Sequence, residues 1–291
     1  MKDIREIMKK RKHEDYLPPD YYIQLLKTYS FSGKTDIELF KEILKIIPCT
    51  NKSIEFGCGT GRGTKSFLDI YPNSNLDILD LSNDMLSYSK SKYNVKNAIL
   101  NDSLSFMKQC TSVYDFCFSL WSFSHSVHQN LEKFENEIEG KKYVIKILKK
   151  FICENLEKNG CFFIIHFDSH SEEQTILMKQ WAKKSYVYNR KEKLSLSLET
   201  ILEALDELKN SNIANYKIDH LSGDTIFYEN LDEAIEIFLN FHLEGVFNNC
   251  SDDEWLKVYS EIEMDLKKYI TAAGNLSIHP GCYKILINKN S

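Results

Sequence analysis

The sequence predicts an α/β fold: a doubly wound, mostly parallel seven-stranded sheet with helices on both faces, an N-terminal helical lid, and helical insertions after the fifth and sixth strands. Three observations predict it. Between Ser53 and Phe167, short apolar runs alternate with helical segments of 10–20 residues, the rhythm of parallel strands linked by crossover helices. A glycine-rich turn, IEFGCGTGRGT over Ile54–Thr64, joins the first run to a helix. After Asp168 the rhythm breaks and serine and asparagine cap signals open a series of helices. The expected organisation is a lid over 1–35 and one domain over 36–291, with insertions at about 169–196 and 229–280.

The elements follow in order. Residues 1–35 read as a short helix, a break at Pro18-Pro19, and a second helix over Asp20–Tyr29. Thr35-x-x-Glu38 is a capping box opening a helix that Pro48 ends. Strands are expected at Ser53–Phe56, Leu76–Asp80, Ala98–Leu100, Tyr114–Leu120, Cys161–Phe167, Tyr216–Leu221 (extending toward Phe227) and Tyr283–Ile287. Helices are expected at Thr64–Ile70, Asn83–Tyr93, Phe134–Glu157, from Ser171 to Tyr188, and after a Ser197-x-x-Thr200 cap. Asn230-x-x-Glu233 and Ser251-x-x-Glu254 cap two more, near 231–246 and 252–272.

The chain has 291 residues and a formal net charge of −5. That balance gives no electrostatic support for a phosphate backbone as partner. The first residues lack the apolar stretch of a secretory signal, and no window of 18 apolar residues suggests a membrane span. The eight cysteines form no C-x-x-C pair, and several lie inside apolar runs. Reduced, buried thiols and a cytoplasmic location are expected.

The glycine turn has three candidate ligand classes. A dinucleotide site wants G-x-G-x-x-G. Counted from Gly57 the sixth position is Arg62, and from Gly59 it is Thr64. A P-loop wants a glycine where GTGRGTKS, from Gly59 to Ser66, has Thr64. The third class, a loop for S-adenosylmethionine, carries an acid two residues before the first glycine, and Glu55 stands there. Downstream, Asp80 ends the second strand 19 residues after Gly61, placed to accept from ribose hydroxyls. Leu81 and Met85 are placed to pack on adenine; Asp102 and the Ser103 N–H are placed to meet its edge.

EFGCGTG, then LDILDLSNDML, then LNDS, then YDFCFSLWSFSH resembles the ordered motifs of the class I S-adenosylmethionine-dependent methyltransferases, over roughly residues 50–168. The resemblance implies S-adenosylmethionine as cofactor. It implies a cofactor site of Glu55, Phe56, Gly57, Cys58, Gly59, Thr60, Gly61, Asp80, Leu81, Met85, Asp102, Ser103, Ser119 and Leu120. The late helical insertion is similar in architecture to small-molecule N-methyltransferases of the histamine type. The fourth strand end, Ser119-Leu120-Trp121-Ser122, lacks the [DNS]-P-P-[YF] and Pro-Cys signatures of nucleic-acid methyltransferases.

Open α/β sheets place ligands beyond the carboxyl ends of their strands. The acceptor mouth is therefore expected at Ser119–His128 and His166–His170, covered by the aromatic N-terminal segment. Tyr16, Tyr21, Tyr22, Tyr29, Trp121, His125 and His166 are the candidate acceptor-binding residues, with His125 or His166 as general base. Ordinary rim packing is the competing reading of each. No metal is expected; His125 and His128 with His166 or His170 form the alternative. The expected activity is methyl transfer to a small molecule, at an N, O or C atom. RNA or protein methylation, or a non-catalytic partner subunit, are the alternatives. No membrane association is expected, and oligomeric state is left open.

Overall fold

The computed structural model of the protein describes residues 29–48, 50–189, 194–239, 243 and 251–291. Tyr16, Tyr21, Tyr22 and the two expected N-terminal helices lie outside the described residues, except that the second helix's last residue, Tyr29, is described.

The chain divides into two compact units. The larger comprises Gly33–Asp168, Glu192–Leu221 and Cys282–Ser291. It holds a seven-stranded sheet with β1 at Lys52–Phe56, β2 at Asn75–Asp80, β3 at Asn97–Leu100, β4 at Tyr114–Leu120, β5 at Leu156–Phe167, β6 at Ala214–Ser222 and β7 at Gly281–Lys289. The spatial order is β3-β2-β1-β4-β5-β7-β6. The pairs β1–β2, β2–β3, β1–β4 and β4–β5 are parallel, while β7 runs antiparallel to β5. The order reverses between β1 and β4, which is where such sheets take their ligands.

Phenylalanines fill both faces of the centre. On one face Phe40 lies 4.7 Å from Phe118 and 5.8 Å from Phe163, and Phe67 lies 5.5 Å from Phe118. On the other, Phe56 packs 5.6 Å from both Phe151 and Phe162. All of these rings are fully buried. Each such side chain stabilises the fold by about 1.5–3 kcal/mol through burial. Helix α1 (Asp36–Leu44) starts at the expected capping box, with Thr35 accepting from the Glu38 N–H and Glu38 answering at the Thr35 N–H.

Helices α2 (Arg62–Ile70) and α3 (Asn83–Lys92) stand where expected. Two more were not read from the sequence: α4 (Ser103–Gln109), capped by Asp102, and α5 (Ser122–Leu131). The reason is local. α5 is rich in serine and histidine, which are poor helix formers, and no side chain caps it. Only Phe123, Val127 and Leu131 among its seven buried residues are apolar. The long helix α6 is Glu137–Asn155. The cap expected at Ser197 belongs to Ser195, whose hydroxyl accepts from the Leu198 N–H and opens α8 (Leu196–Asn210).

The smaller unit comprises segments through Ser32, from Ser169 and from Ser222 to Gly281. Its described helices are α7 (Glu172–Trp181), α9 (Leu231–Ile237) and α10 (Asp252–Leu266). α7 stops short of the expected Tyr188, and α10 short of 272. The strand expected to run on toward Phe227 is instead a separate ribbon, Ile226–Tyr228 antiparallel to Leu276–Ile278. Gly223, whose N–H donates to the Pro280 carbonyl, separates it from β6. Lys179 reaches both oxygens of the Asp265 carboxylate at 2.8 Å, tying α7 to α10. No described helix is long and apolar enough to cross a membrane.

Candidate functional site

The glycine turn is built mainly from backbone. Gly57 and Cys58 both donate to the Leu79 carbonyl, at 2.7 and 2.9 Å, which fastens the turn to the end of β2. Gly57, Gly59 and Gly61 have φ of 70°, 50° and 78°. This is the left-handed region that glycine enters without steric cost. The three differ in what surrounds them. A Cβ on Gly57 would overlap the Ser122 side chain, and one on Gly61 would overlap Tyr93. A Cβ on Gly59 would meet nothing within 4 Å. Gly59 thus presents bare main chain to open space, the feature a ligand approaching a backbone needs.

Asp80 holds this turn in place. Its Oδ2 accepts from the Gly59 N–H at 2.7 Å and its Oδ1 from the Ser82 N–H at 2.9 Å. Burial raises its pKa, while the bonds from Ser82 and Gly59 oppose that rise. A carboxylate has about four acceptor positions, so these two bonds leave capacity for hydroxyl donors. Leu81 beside it is exposed, and Met85 is buried.

Glu55 lies behind the loop. It is fully buried and accepts from the Thr64 hydroxyl. Burial raises its pKa to about 8, with the Asp80 charge adding to the effect. A Cβ on Gly63 would overlap the Glu55 carboxyl. Gly63, not singled out from the sequence, is therefore the glycine that admits this acid. Phe56, Cys58 and Thr60 are buried, and burial pushes the Cys58 thiol up, with Glu55 and Asp80 adding to it.

Asp102 caps α4 through the Ser105 N–H at 2.8 Å. It also accepts from the Ser126 hydroxyl at 2.5 Å and from Asn130 Nδ2 at 3.0 Å. Burial opposes the carboxylate, but these bonds outweigh it and hold the pKa low. Ser103 is buried in the same turn. Ser119 donates to the Phe56 carbonyl at 2.7 Å, as does Ser122 at 2.8 Å, locking the ends of β1 and β4 together. Leu120 is half-buried beside them.

Trp121 follows β4 with φ 74° and ψ −34°. For a bulky residue this conformation costs on the order of 1–3 kcal/mol. Its indole Nε1 donates to Asp36 Oδ2 at 2.9 Å. Arg62, the first residue of α2, grips the same carboxylate with Nη2 at 2.6 Å and Nη1 at 3.0 Å. Asp36 is fully buried. One carboxylate thus joins the start of α1, the helix after the glycine turn, and the end of β4.

Three histidines sit near this edge. His125 keeps open surface, with Phe167 edge-on at 5.3 Å. The protein mass around its ring pushes its pKa down to about 4. Buried His128 is held well below the usual value by burial, with His166 and His125 adding to it. His166 is fully buried and engaged at both nitrogens, with Nδ1 2.7 Å from the Phe167 carbonyl and Nε2 2.8 Å from Ser197 Oγ. Its pKa falls to about 4, again chiefly through burial. For the buried pair His128 and His166, burial favours the neutral imidazole. Among the described residues, no group of three or more His, Cys, Asp or Glu is placed to hold a metal ion. Tyr29 belongs to the smaller unit, where it is buried and donates to Glu173.

Residues 54–140 match the family model described as a methyltransferase domain. The chain is 41% identical over 69 residues to malonyl-[acyl-carrier protein] O-methyltransferase 2 of Ilyobacter polytropus, covering 23% of this chain and 26% of the relative. It is 28% identical over 75 residues to malonyl-[acyl-carrier protein] O-methyltransferase of Acetivibrio thermocellus, covering 24% and 26%. The matched segment spans about a quarter of the length of these curated relatives. Among solved structures, the plantazolicin methyltransferase BpumL in complex with SAH is 16% identical, with TM-score 0.43 over 100% of this chain and 91% of that one. The phosphoethanolamine N-methyltransferase 2 of Haemonchus contortus, in complex with phosphomonomethylethanolamine and S-adenosylhomocysteine, is 16% identical, with TM-score 0.46 over 90% of this chain and 53% of that one.

Proposed function

We propose that the chain, whose residues 54–140 match a methyltransferase domain, is a class I S-adenosylmethionine-dependent methyltransferase that transfers the cofactor's methyl group to a small-molecule acceptor at the carboxyl edge of β4 and β5. The observation that carries this reading is the open face of Gly59, held by Asp80 where the strand order reverses. The donor set fits the cofactor. Asp80 offers acceptor capacity for ribose hydroxyls, exposed Leu81 offers an apolar surface for a base, and bare backbone at Gly59 allows close approach. Glu55 serves from behind by fixing Thr64 and the first turn of α2.

The cofactor supplies an activated methyl group on a sulfonium, so the protein's task is alignment and exclusion of water. Trp121 and Phe167, with ring centroids 4.8 Å apart, form an aromatic wall beside His125. Such a wall suits a small organic acceptor. The net charge of −5 and the absence of nucleic-acid methyltransferase signatures at Ser119–Ser122 support a small molecule over a nucleic acid.

Calorimetry with S-adenosylmethionine and S-adenosylhomocysteine tests the reading. Both should bind, and Asp80→Ala should weaken binding by about 1–3 kcal/mol because ribose hydroxyls lose a charged acceptor. No binding at millimolar cofactor, with tight nicotinamide dinucleotide or ATP binding instead, would overturn it.

A further inference from the structure

Asp168 and His220 meet at the same edge of the sheet. Asp168 follows the last residue of β5, and His220 lies near the end of β6. β7 stands between them in the sheet, with Cys282 opposite Phe167 and Tyr283 opposite His166. Asp168 Oδ2 lies 2.7 Å from His220 Nε2. The carboxylate side chain is 9% exposed and the imidazole 49%. Tyr283 stacks on the imidazole, with centroids 4.7 Å apart and planes 26° from parallel.

A buried carboxylate against one ring nitrogen places the imidazole proton on that nitrogen. Nε2 therefore carries the hydrogen, and no described residue bonds Nδ1. The stacked tyrosine fixes the plane of the ring. An ordinary surface ion pair has neither a desolvated acid nor a clamped ring. The neighbouring charges are accounted for: Lys217 and Lys284 both pair with Asp219, at 3.3 and 3.2 Å. Asp168 and Tyr283 both contact the imidazole. His166, by contrast, is occupied at both nitrogens.

We propose that His220 is the general base of methyl transfer, oriented by Asp168 as a positioning residue, and that the acceptor is an aromatic hydroxyl compound. The proposal rests on the methyl-transfer reading above. An amine acceptor needs only to be neutral, whereas a hydroxyl needs a base. In the step, the acceptor O–H proton passes to His220 Nδ1. The oxygen lone pair forms the bond to the methyl carbon, and the carbon–sulfur electron pair stays on sulfur, which leaves as a neutral thioether. The rings at this edge, Trp121 against Phe167 and Tyr283 against His220, favour an aromatic body for the acceptor.

Two measurements test this. Nitrogen-15 NMR of the imidazoles in the full chain should show His220 protonated at Nε2 alone, with Asp168→Asn giving a mixture of tautomers. A wild-type His220 protonated at Nδ1 overturns the assignment. The second measurement uses labelled S-adenosylmethionine with phenols of graded acidity and the matching anilines. Phenols should be methylated in preference to anilines. His220→Gln should lower kcat about 10²–10⁴-fold for the least acidic phenol, and less for the more acidic ones, as expected on removal of a general base. Cofactor affinity by calorimetry should not change. Wild-type rates in His220→Gln, a preference for anilines, or a cofactor-binding wild type that methylates no phenol each overturn the proposal. A wild type that binds no cofactor overturns the methyl-transfer reading itself, and this proposal with it.

Discussion

The two halves of the sheet's carboxyl edge are built by different means. At the glycine turn, where we propose the cofactor binds, contacts are short in sequence: the Gly59 N–H reaches Asp80 across 21 residues, and Ser89 reaches the Gly59 carbonyl across 30. At the edge proposed for the acceptor, side chains meet across long separations: Trp121 and Asp36 across 85 residues, Asp168 and His220 across 52. The first half depends on which residues lack a side chain. The second depends on buried polar groups finding each other, which the low dielectric of the interior makes costly to disrupt. The comparison makes quantitative claims about where each half breaks.

Asp36→Ala should do the most damage. It strands the Arg62 fork and the Trp121 indole N–H, and removes what holds Trp121 at φ 74°. Breaking a buried ion pair from one side costs about 3–5 kcal/mol, to be read as a shift in the urea midpoint. Asp36→Asn keeps an acceptor for the indole and should cost less. If Asp36→Ala shifts stability by under about 1 kcal/mol, typical of an exposed pair, the acceptor half does not depend on its polar contacts.

Gly57→Ala should cost about 2–4 kcal/mol, combining left-handed backbone strain with overlap on Ser122. Here the two halves touch, so a double variant sharpens the contrast. Adding Ser122→Gly removes the overlapping atoms and should restore the steric part, leaving about 1–2 kcal/mol of backbone strain. Denaturant titration of the three variants checks this. Equal losses in the single and double variants would show that Ser122 is not the obstacle.

This asymmetry also explains what could be read from the sequence. All seven strands of the central sheet were legible, because apolar runs and turn residues are local signals, and so was the glycine turn with Asp80 after it; the Ile226–Tyr228/Leu276–Ile278 ribbon was not. Helices α4 and α5 were not, since Asp102 reads as a ligand as readily as a cap and α5 carries few helix formers. His166 reads in the sequence as a candidate base or as rim packing, because nothing local announces Ser197 as its partner. Asp36 and His220 gave no sign at all: an aspartate after a capping threonine and a histidine within a strand are ordinary until the chain folds. The left-handed backbone of Trp121 is likewise set by tertiary contacts.

Glu55 gives the cofactor half a pH signature. Burial raises its pKa from the ordinary carboxylate value of about 4.5 to about 8 on folding, so the folded state holds a proton that the unfolded chain releases. Stability from this group is fully present below about 4.5 and is lost as pH rises toward 8. The slope is up to about 1.4 kcal/mol per pH unit. His166 acts oppositely: with a folded value of about 4, it costs stability as pH falls below its unfolded value of about 6.5. Glu55→Gln should flatten the thermal midpoint between pH 6.5 and 8, where the wild type declines. The same decline in both proteins would place the titrating group elsewhere.

The smallest expected effect on stability is the most informative about the ligand. Gly59 shares its left-handed backbone with Gly57, but its missing side chain faces open space. Gly59→Ala should therefore cost only the backbone strain, about 1–2 kcal/mol. Its new methyl group projects into the volume assigned to the cofactor, so binding should suffer beyond what the stability loss explains. Calorimetry should find S-adenosylmethionine affinity reduced about tenfold or more, equivalent to about 1.4 kcal/mol, in a protein that remains folded. Gly57→Ala gives the opposite balance, since its damage is to the fold at Ser122. If Gly59→Ala binds the cofactor as the wild type does, the ligand does not approach the turn at Gly59. The open face there is then only a gap in the surface, and the site must be sought along Leu81 and Asp102.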